Sequence, residues 1–476
     1  MNYQYPCIMC ENVKRHCRKS SQKARNGTYK KDKKDRGDQF SCSDDQENQQ
    51  INELVQKLPK LNSIFEVHRK IGEGTFSSVY LGSLRQHANL PDGQKRMFAI
   101  KHLVPTAHPA RVEHELKCLQ DMGGRHNVIG VELCLRQLDT IVFIMPYIPH
   151  RKFAEYMDDM DREEVSRYLH ALLVALRHVH SFGVIHRDVK PSNFLYDRER
   201  RRYLLVDFGL AQRVVTTEPP PAHSNGSAKR AREEECDSSP GAKRVALDLS
   251  LRGRHVSVPR RGDTIKQTPH KHVTKVSGLN VSCACAGLGG VCTGCGRRPT
   301  ARAPRAGTQG FRPPEVLLKS PLQGTAVDVW AAGVVLTSLL TARYPFFRAA
   351  DDVSALAELV DLLGSAAVHR VAATLRRRVV ISGNRTGICL RKLAQRLRNP
   401  APPPCPYPAC LRCRLPAPQC LCLTTDTQER NLETIVVDDL PEAAFNLATR
   451  LLDPDPRTRI TADQALRHPF LAHLPH

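Results

Sequence analysis

His186-Arg187-Asp188-Val189-Lys190-Pro191-Ser192-Asn193, followed downstream by Asp207-Phe208-Gly209, decides how this chain is read. The stretch gathers two carboxylates, an amide, a lysine and a glycine turn within a short span. Phosphoryl transfer from a magnesium–ATP complex needs that set in one cleft. Asp188 can orient and accept the proton of a hydroxyl, and Lys190 can neutralise the moving phosphoryl group. Asn193 and Asp207 supply hard oxygen ligands suited to Mg2+. His186 reads as packing for the loop rather than as a base. Arg187 reads as an anchor for a buried carboxylate or phosphate. A lone His-Arg-Asp triplet would carry little; the full string with its Asp-Phe-Gly is specific.

Upstream, Gly72-Glu73-Gly74-Thr75-Phe76-Ser77 joins two strand-like segments. Glycines let backbone amides approach phosphate oxygens where a Cβ would obstruct them. Ser77 stands where such loops usually carry a third glycine, and the pattern alone is equally met by a plain hairpin. Phe98-Ala99-Ile100-Lys101 sets a lysine among apolar strand residues, which is costly to bury without a carboxylate. Glu115 is the expected partner and Glu113 the rival. Glu115 is favoured because it sits beside apolar Leu116 and Leu119. Val79 packs either on a nucleotide base or in the core.

The texture of the chain divides it further. Residues 1–60 are rich in Lys, Arg, Gln and Ser and are expected to form a disordered basic arm. Within residues 61–148, strands are predicted at Ile64–Ile71, Val79–Leu84, Met97–Leu103, Val131–Leu135 and Thr140–Met145, with a helix at Ala110–Met122. Residues 149–212 open a helical part. Its Asp161–Ser181 segment repeats apolar Val165, Leu169, Leu172, Leu176 and Val179, with Asp161 as N-cap. Residues 213–304 form a Pro/Ser/Arg/Gly-rich insert. Residues 305–369 and 436–476 continue the helical part, with helices predicted at Gly324–Thr341, Asp351–Leu363, Pro441–Leu452 and Thr461–His468. Between them, 370–435 is an insert that starts basic and partly helical and turns Pro/Cys-rich. The fold class is α+β: a small β-rich lobe, a larger helical one, and two long inserts.

With these motifs in place, Arg312-Pro313-Pro314-Glu315, Asp328-Val329-Trp330 followed by Gly333, and Arg459 complete a resemblance. Residues of about 65–212 and 305–472 resemble a eukaryotic protein kinase. The resemblance implies a bilobal fold, ATP and Mg2+ as cofactors, and pairing of Arg459 with Glu315. Lys190 and Gly307-Thr308 imply serine/threonine specificity, the threonine bridging Asp188 and Lys190. GEGTFSSVY (72–80), IKHLVPTAHPAR (100–111), MPYIPH (145–150), HRDVKPSNFLY (186–196), YLLVDFGLAQ (203–212) and PRAGTQGFRPPEVL (304–317) narrow it. Together they resemble the cell-division-cycle-seven kinases, the catalytic subunits of the Dbf-four-dependent kinase, in which large inserts at these two places also occur. That resemblance implies a nuclear enzyme and an activating regulatory subunit of the Dbf-four type. It implies subunits of the replicative helicase as substrates, phosphorylated to start DNA replication. Gly72, Gly74, Val79, Ala99 and Lys101 would then line the nucleotide site, with Met145 as gatekeeper and Tyr147 and Ile148 in the hinge.

The formal net charge of +23 predicts acidic partners. With catalytic motifs present, acidic protein substrates take the larger share of that expectation, and no direct nucleic-acid binding is assumed. Arg305 and Arg312 flank Gly307-Thr308, where they would favour an acidic or phosphorylated residue after the phosphoacceptor. No run of about 18 apolar residues suggests a membrane span, and no signal peptide is read at the N-terminus. The 17 cysteines are therefore expected as thiols or metal ligands. Cys283, Cys285, Cys292 and Cys295 form CxC-x6-CxxC, a spacing suited to tetrahedral zinc. Cys405, Cys410, Cys413, Cys420 and Cys422, and Cys7, Cys10 and Cys17, are looser clusters. Lys229-Arg230 and Lys243-Arg244 read either as a bipartite nuclear import signal or as a solvated charge run. Three alternatives stay open: an acidophilic kinase active without an activator, a pseudokinase scaffold, and a nucleic-acid-binding zinc protein.

Overall fold

Alternating apolar residues between Phe65 and Pro146 build an antiparallel sheet in the order β1-β2-β3-β5-β4. Its strands are β1 Phe65–Gly74, β2 Ser77–Leu84, β3 Met97–Leu103, β4 Leu133–Gln137 and β5 Thr140–Pro146. These belong to a computed structural model that describes residues 39–74, 76–104, 108–214, 303–305, 307–398, 421, 422, 437 and 440–475. β1 runs on into the glycine stretch, where Gly72 pairs with Val79 and Gly74 with Ser77. The register shifts between Val67 and Arg69 and again between Lys70 and Gly72. Each shift bends and twists the edge strand locally.

The basic arm expected to reach residue 60 ends sooner. Helix α1 spans Gln39–Lys57 and α2 spans Pro59–Ile64. Ile51, Leu54, Leu58 and Leu61 enter one cluster with Phe65, Tyr80, Phe98, Ile100, Leu135, Val142 and Ile144 of the sheet. Four apolar residues at helical spacing suffice for this, although the Gln- and charge-rich surroundings hide them in any compositional average. Glu47 accepts the backbone N–H of Lys70, on the edge strand, and Lys70 Nζ reaches Gln50 at 3.1 Å.

Helix α3, Pro109–Asp121, lies between β3 and β4. The helical lobe begins with α4, Arg162–Ser181, capped by Asp161 accepting from Glu164 N at 2.6 Å. Its stripe of Val165, Leu169, Leu172, Leu176 and Val179 is fully buried. Four short strands follow: β6 Val184–Ile185, β7 Phe194–Asp197, β8 Arg202–Leu205 and β9 Gln212–Arg213. β6 pairs with β9 and β7 with β8. The 186–193 loop thus runs from β6 to β7 and Asp207-Phe208-Gly209 from β8 to β9, so two small ladders bring both motifs together.

Helix α5 is Pro314–Leu317 and α6 is Ala326–Thr341. Every residue of α6 from Val327 onward is buried, the signature of a central core helix. Thr337, Ser338 and Thr341 tolerate this by donating to carbonyls one turn back. Helices α7 Asp352–Leu363, α8 Ser365–Thr374, α9 Leu390–Arg398, α10 Glu442–Leu451 and α11 Ala462–Leu466 complete the lobe. The insert expected from residue 370 starts later. α8 continues to Thr374, and α9 buries Leu393 and Ala394 in the main core. Among the described residues no helix is long and apolar enough to cross a membrane.

Candidate active site

Lys101 projects from β3 and is 6 % exposed, so its ammonium needs anionic company. Its Nζ lies 2.6 Å from Glu115 Oε1 and 2.8 Å from Asp207 Oδ1. Glu113, the rival partner, is exposed on the opposite face of α3. Burial alone would push Lys101 down; the two carboxylates reverse this and hold it above its ordinary range. Burial likewise acts to raise Asp207, but the Lys101 ammonium outweighs it and keeps that carboxyl below the usual range. Burial lifts Glu115, with Lys101 opposing. Gly209 makes the crossing possible: a Cβ there would come within 3.2 Å of Asp207 Oδ1 and 3.3 Å of Glu115 Oε2.

Asp188 is the centre of a second set. Its Oδ1 accepts from Thr308 Oγ1 at 2.6 Å and from Thr308 N at 3.0 Å. Its Oδ2 accepts from Asn193 Nδ2 at 2.9 Å and lies 2.9 Å from Lys190 Nζ. Lys190 Nζ also donates to Thr308 Oγ1 at 2.7 Å, so the threonine bridges lysine and aspartate. Gly307 permits this approach. Its φ is +94°, and a Cβ would sit 2.8 Å from the Arg187 carbonyl. The Asn193 amide nitrogen also donates to the Asp188 carbonyl at 2.9 Å. With both amide protons so engaged, the amide oxygen remains as a hard donor.

Neither motif is relaxed backbone: Arg187 and Asp207 adopt φ of 69° and 68°, unusual for non-glycine residues. Asp328, fully buried in α6, holds the first of these turns. Its carboxylate accepts from the backbone N–H of His186 and of Arg187, each at 2.8 Å, and lies 2.9 Å from His180 Nε2. The His186 ring accepts from Asp188 N through Nδ1 and donates from Nε2 to the Val206 carbonyl at 3.0 Å. It also packs edge-on against Phe208, so its place is structural. Arg187 Nη1 donates to Gln212 Oε1 at 2.6 Å. Neither Asp328's grip nor the Gln212 contact follows from the motifs, because both depend on how α6 and β9 pack.

Val79, Ala99 and Lys101 share the β2–β3 register, and Ala99 faces Met145 across β3 and β5. Met145 and Ile148 are buried, and Tyr147 N donates to the Met97 carbonyl at 3.3 Å. Arg305 and Arg312 do converge, but on an in-chain carboxylate the sequence reading lacked. Arg305 Nε is 2.8 Å and Arg312 Nη1 2.7 Å from Asp352. Asp351 beside it caps α7, which disguised Asp352 as a second helix-start acid. Glu315 and Arg459 form a bidentate pair at 2.8 and 3.0 Å. Cys283, Cys285, Cys292 and Cys295 lie outside the described residues, as do Cys405, Cys410, Cys413, Cys420, the N-terminal cysteines and the two basic pairs. Among the described residues no group of His, Cys, Asp or Glu could hold a metal ion by itself. Asp207 and Asn193 instead fit a cation that also takes phosphate oxygens from a nucleotide.

Comparison with known proteins agrees with this geometry. The profile of the protein kinase domain matches residues 65–230 and 290–471. A fruit-fly protein described as the non-specific serine/threonine protein kinase Cdc7 is 36% identical, covering 88% of this chain and 76% of its own length. The human cell division cycle 7-related protein kinase is 32% identical over 88% of this chain and 92% of its own. The fission-yeast cell cycle serine/threonine-protein kinase hsk1 is 30% identical over 68% of this chain and 60% of its own.

Proposed function

We propose a specific role for a chain that belongs to the protein kinase family and, within it, to the Cdc7 kinases. As a protein serine/threonine kinase, it transfers phosphate from ATP in the presence of Mg2+. Its substrates are acidic proteins, the replicative helicase first among them, and it acts in the nucleus to start DNA replication once a regulatory subunit of the Dbf-four type has bound. The observation that carries the transfer chemistry is Thr308, joined to both Asp188 and Lys190; the replication role is supported by the likeness to Cdc7 kinases.

Each side chain has a task in the transfer. Lys101, fixed by Glu115, holds nucleotide phosphates. Asp188 orients the substrate hydroxyl and receives its proton. Lys190 balances charge on the moving group, and Thr308 keeps that lysine on the aspartate. Asp207 and the Asn193 amide oxygen hold Mg2+, which when bound neutralises phosphate charge. The +23 net charge supports acidic substrates. The test is a radiolabelled phosphate-transfer assay of the chain alone and with a candidate regulatory subunit, with Asp207→Asn as the inactive reference. Equal activity with and without the subunit would return the choice to an acidophilic kinase that needs no activator.

Substrate preference rests on Arg305 and Arg312. Asp352 already offsets one of their two charges, and the Arg305 side chain is 59% exposed against 14% for Arg312. Arg312 also donates twice to the Gly307 carbonyl, so Arg305 is the one able to meet an incoming anion. Arg305→Ala is expected to lower the preference for Asp over Ala after the phosphoacceptor about fivefold. Paired peptides measure it; an unchanged preference in the Arg305→Ala, Arg312→Ala protein removes both residues from substrate choice.

The spacing of Cys283, Cys285, Cys292 and Cys295 supports a structural zinc. Elemental analysis of purified protein is expected to find a stoichiometric zinc, lost on Cys292→Ser with Cys295→Ser. Metal-free wild type that is folded and active speaks against it.

A further inference from the structure

Arg111 sits on the helix that bears Glu115 and touches two other parts of the cleft, and no step described above uses it. It lies in the first turn of α3, one turn before Glu115. Its guanidinium carbon sits 4.5 Å from the centroid of the Phe76 ring. The same group donates from Nη2 to the Gly209 carbonyl at 2.9 Å. Phe76 belongs to the glycine stretch, just before β2, and is 43% exposed, a large ring with no core to enter. Its own carbonyl accepts from Val104 N at 3.0 Å, which ties the backbone at the ring to the end of β3.

We propose that Arg111 is a positioning residue that closes the glycine-rich loop over the nucleotide. It clasps Phe76 with its face and the Gly209 carbonyl with its edge. A planar guanidinium can do both at once, because its flat side attracts the electron-rich ring while its N–H groups lie in the perpendicular plane. The loop end, the helix bearing Glu115 and the turn bearing Asp207 then shift together. A loop released from α3 leaves phosphates to solvent, so nucleotide affinity falls while the protein-substrate surface stays intact. A lysine cannot replace it, since an ammonium is a point charge without a stacking face.

The inference rests on the phosphoryl-transfer reading of the cleft, and nucleotide binding separates the two. In the full chain, Arg111→Ala is expected to weaken binding of magnesium–AMP-PNP about tenfold by calorimetry and to raise KM for ATP equally. KM for a protein substrate should stay within about twofold, a split that general loosening would not produce. Phe76→Ala should match it, and the double variant should be no worse than the weaker single, since both remove one clasp. Arg111→Lys is expected to recover only part of the affinity. Arg96→Ala serves as the control, because Arg96 stacks on Phe98 at 5.0 Å and pairs with Glu132 away from the cleft. Wild-type affinity in Arg111→Ala, or a double variant whose loss is the product of the singles, overturns the clasp alone. A wild-type chain that binds no nucleotide overturns the reading beneath it too.

Discussion

Asp207→Asn is expected to reduce phosphate transfer at least about a thousandfold and to raise the Mg2+ concentration needed for what remains. The substitution nearly preserves volume and keeps one oxygen, so the turn between β8 and β9 should stay folded. What it removes is the negative charge. Lys101 then keeps only Glu115 of its two carboxylates, and a cation between Asp207 and the nucleotide loses its anionic protein ligand. Amide oxygens bind hard cations, but without full charge they compete poorly with water. A magnesium titration of the transfer rate measures this. Transfer within about tenfold of wild type would mean that Asp207 does not hold the metal, and the assignment of the cleft would fall with it.

The second large effect is on stability. Arg459→Ala is expected to destabilise the helical lobe by about 3–5 kcal/mol, because it leaves Glu315 buried without its partner. Both side chains are at most 1% exposed. Arg459 also donates to the carbonyls of Asp453, Ala326 and Pro454 and lies over the Trp330 ring at 5.1 Å. Removing it therefore unties three segments at once: α5, α6 and the Asp453-Pro454 turn. Total stabilities run to only about 5–15 kcal/mol, so the loss should show as a large drop in denaturation midpoint. Glu315→Gln keeps the shape and an acceptor and should cost less. A loss below about 1 kcal/mol for Arg459→Ala would contradict the pairing.

Short-range chemistry was the part of this molecule that the amino-acid order expressed openly. Asp188, Lys190 and Asn193 are neighbours in sequence, and the choice of Glu115 over Glu113 followed from which face of one helix carries apolar residues. The stripe of α4 and its Asp161 cap were legible for the same reason. What stayed hidden was set by tertiary packing. Asp352 and Gln212 reach their arginines only after helices and strands have docked, and Asp328 grips a loop far from it in the chain. α1 and α2 were missed because four apolar residues across the two helices do their packing while the rest stays polar.

α1 and α2 have a consequence for where the catalytic unit begins. The match to the kinase domain opens at residue 65, yet the upper side of the sheet is finished by residues before it. A polypeptide started at Phe65 would present Tyr80, Phe98, Ile100 and Val142 to water as one greasy patch. It would also bare the outer rim of β1, whose Lys70 amide has lost its cap. Such a fragment invites self-association, so the autonomous folding module reaches back at least to the turn that contributes Glu47.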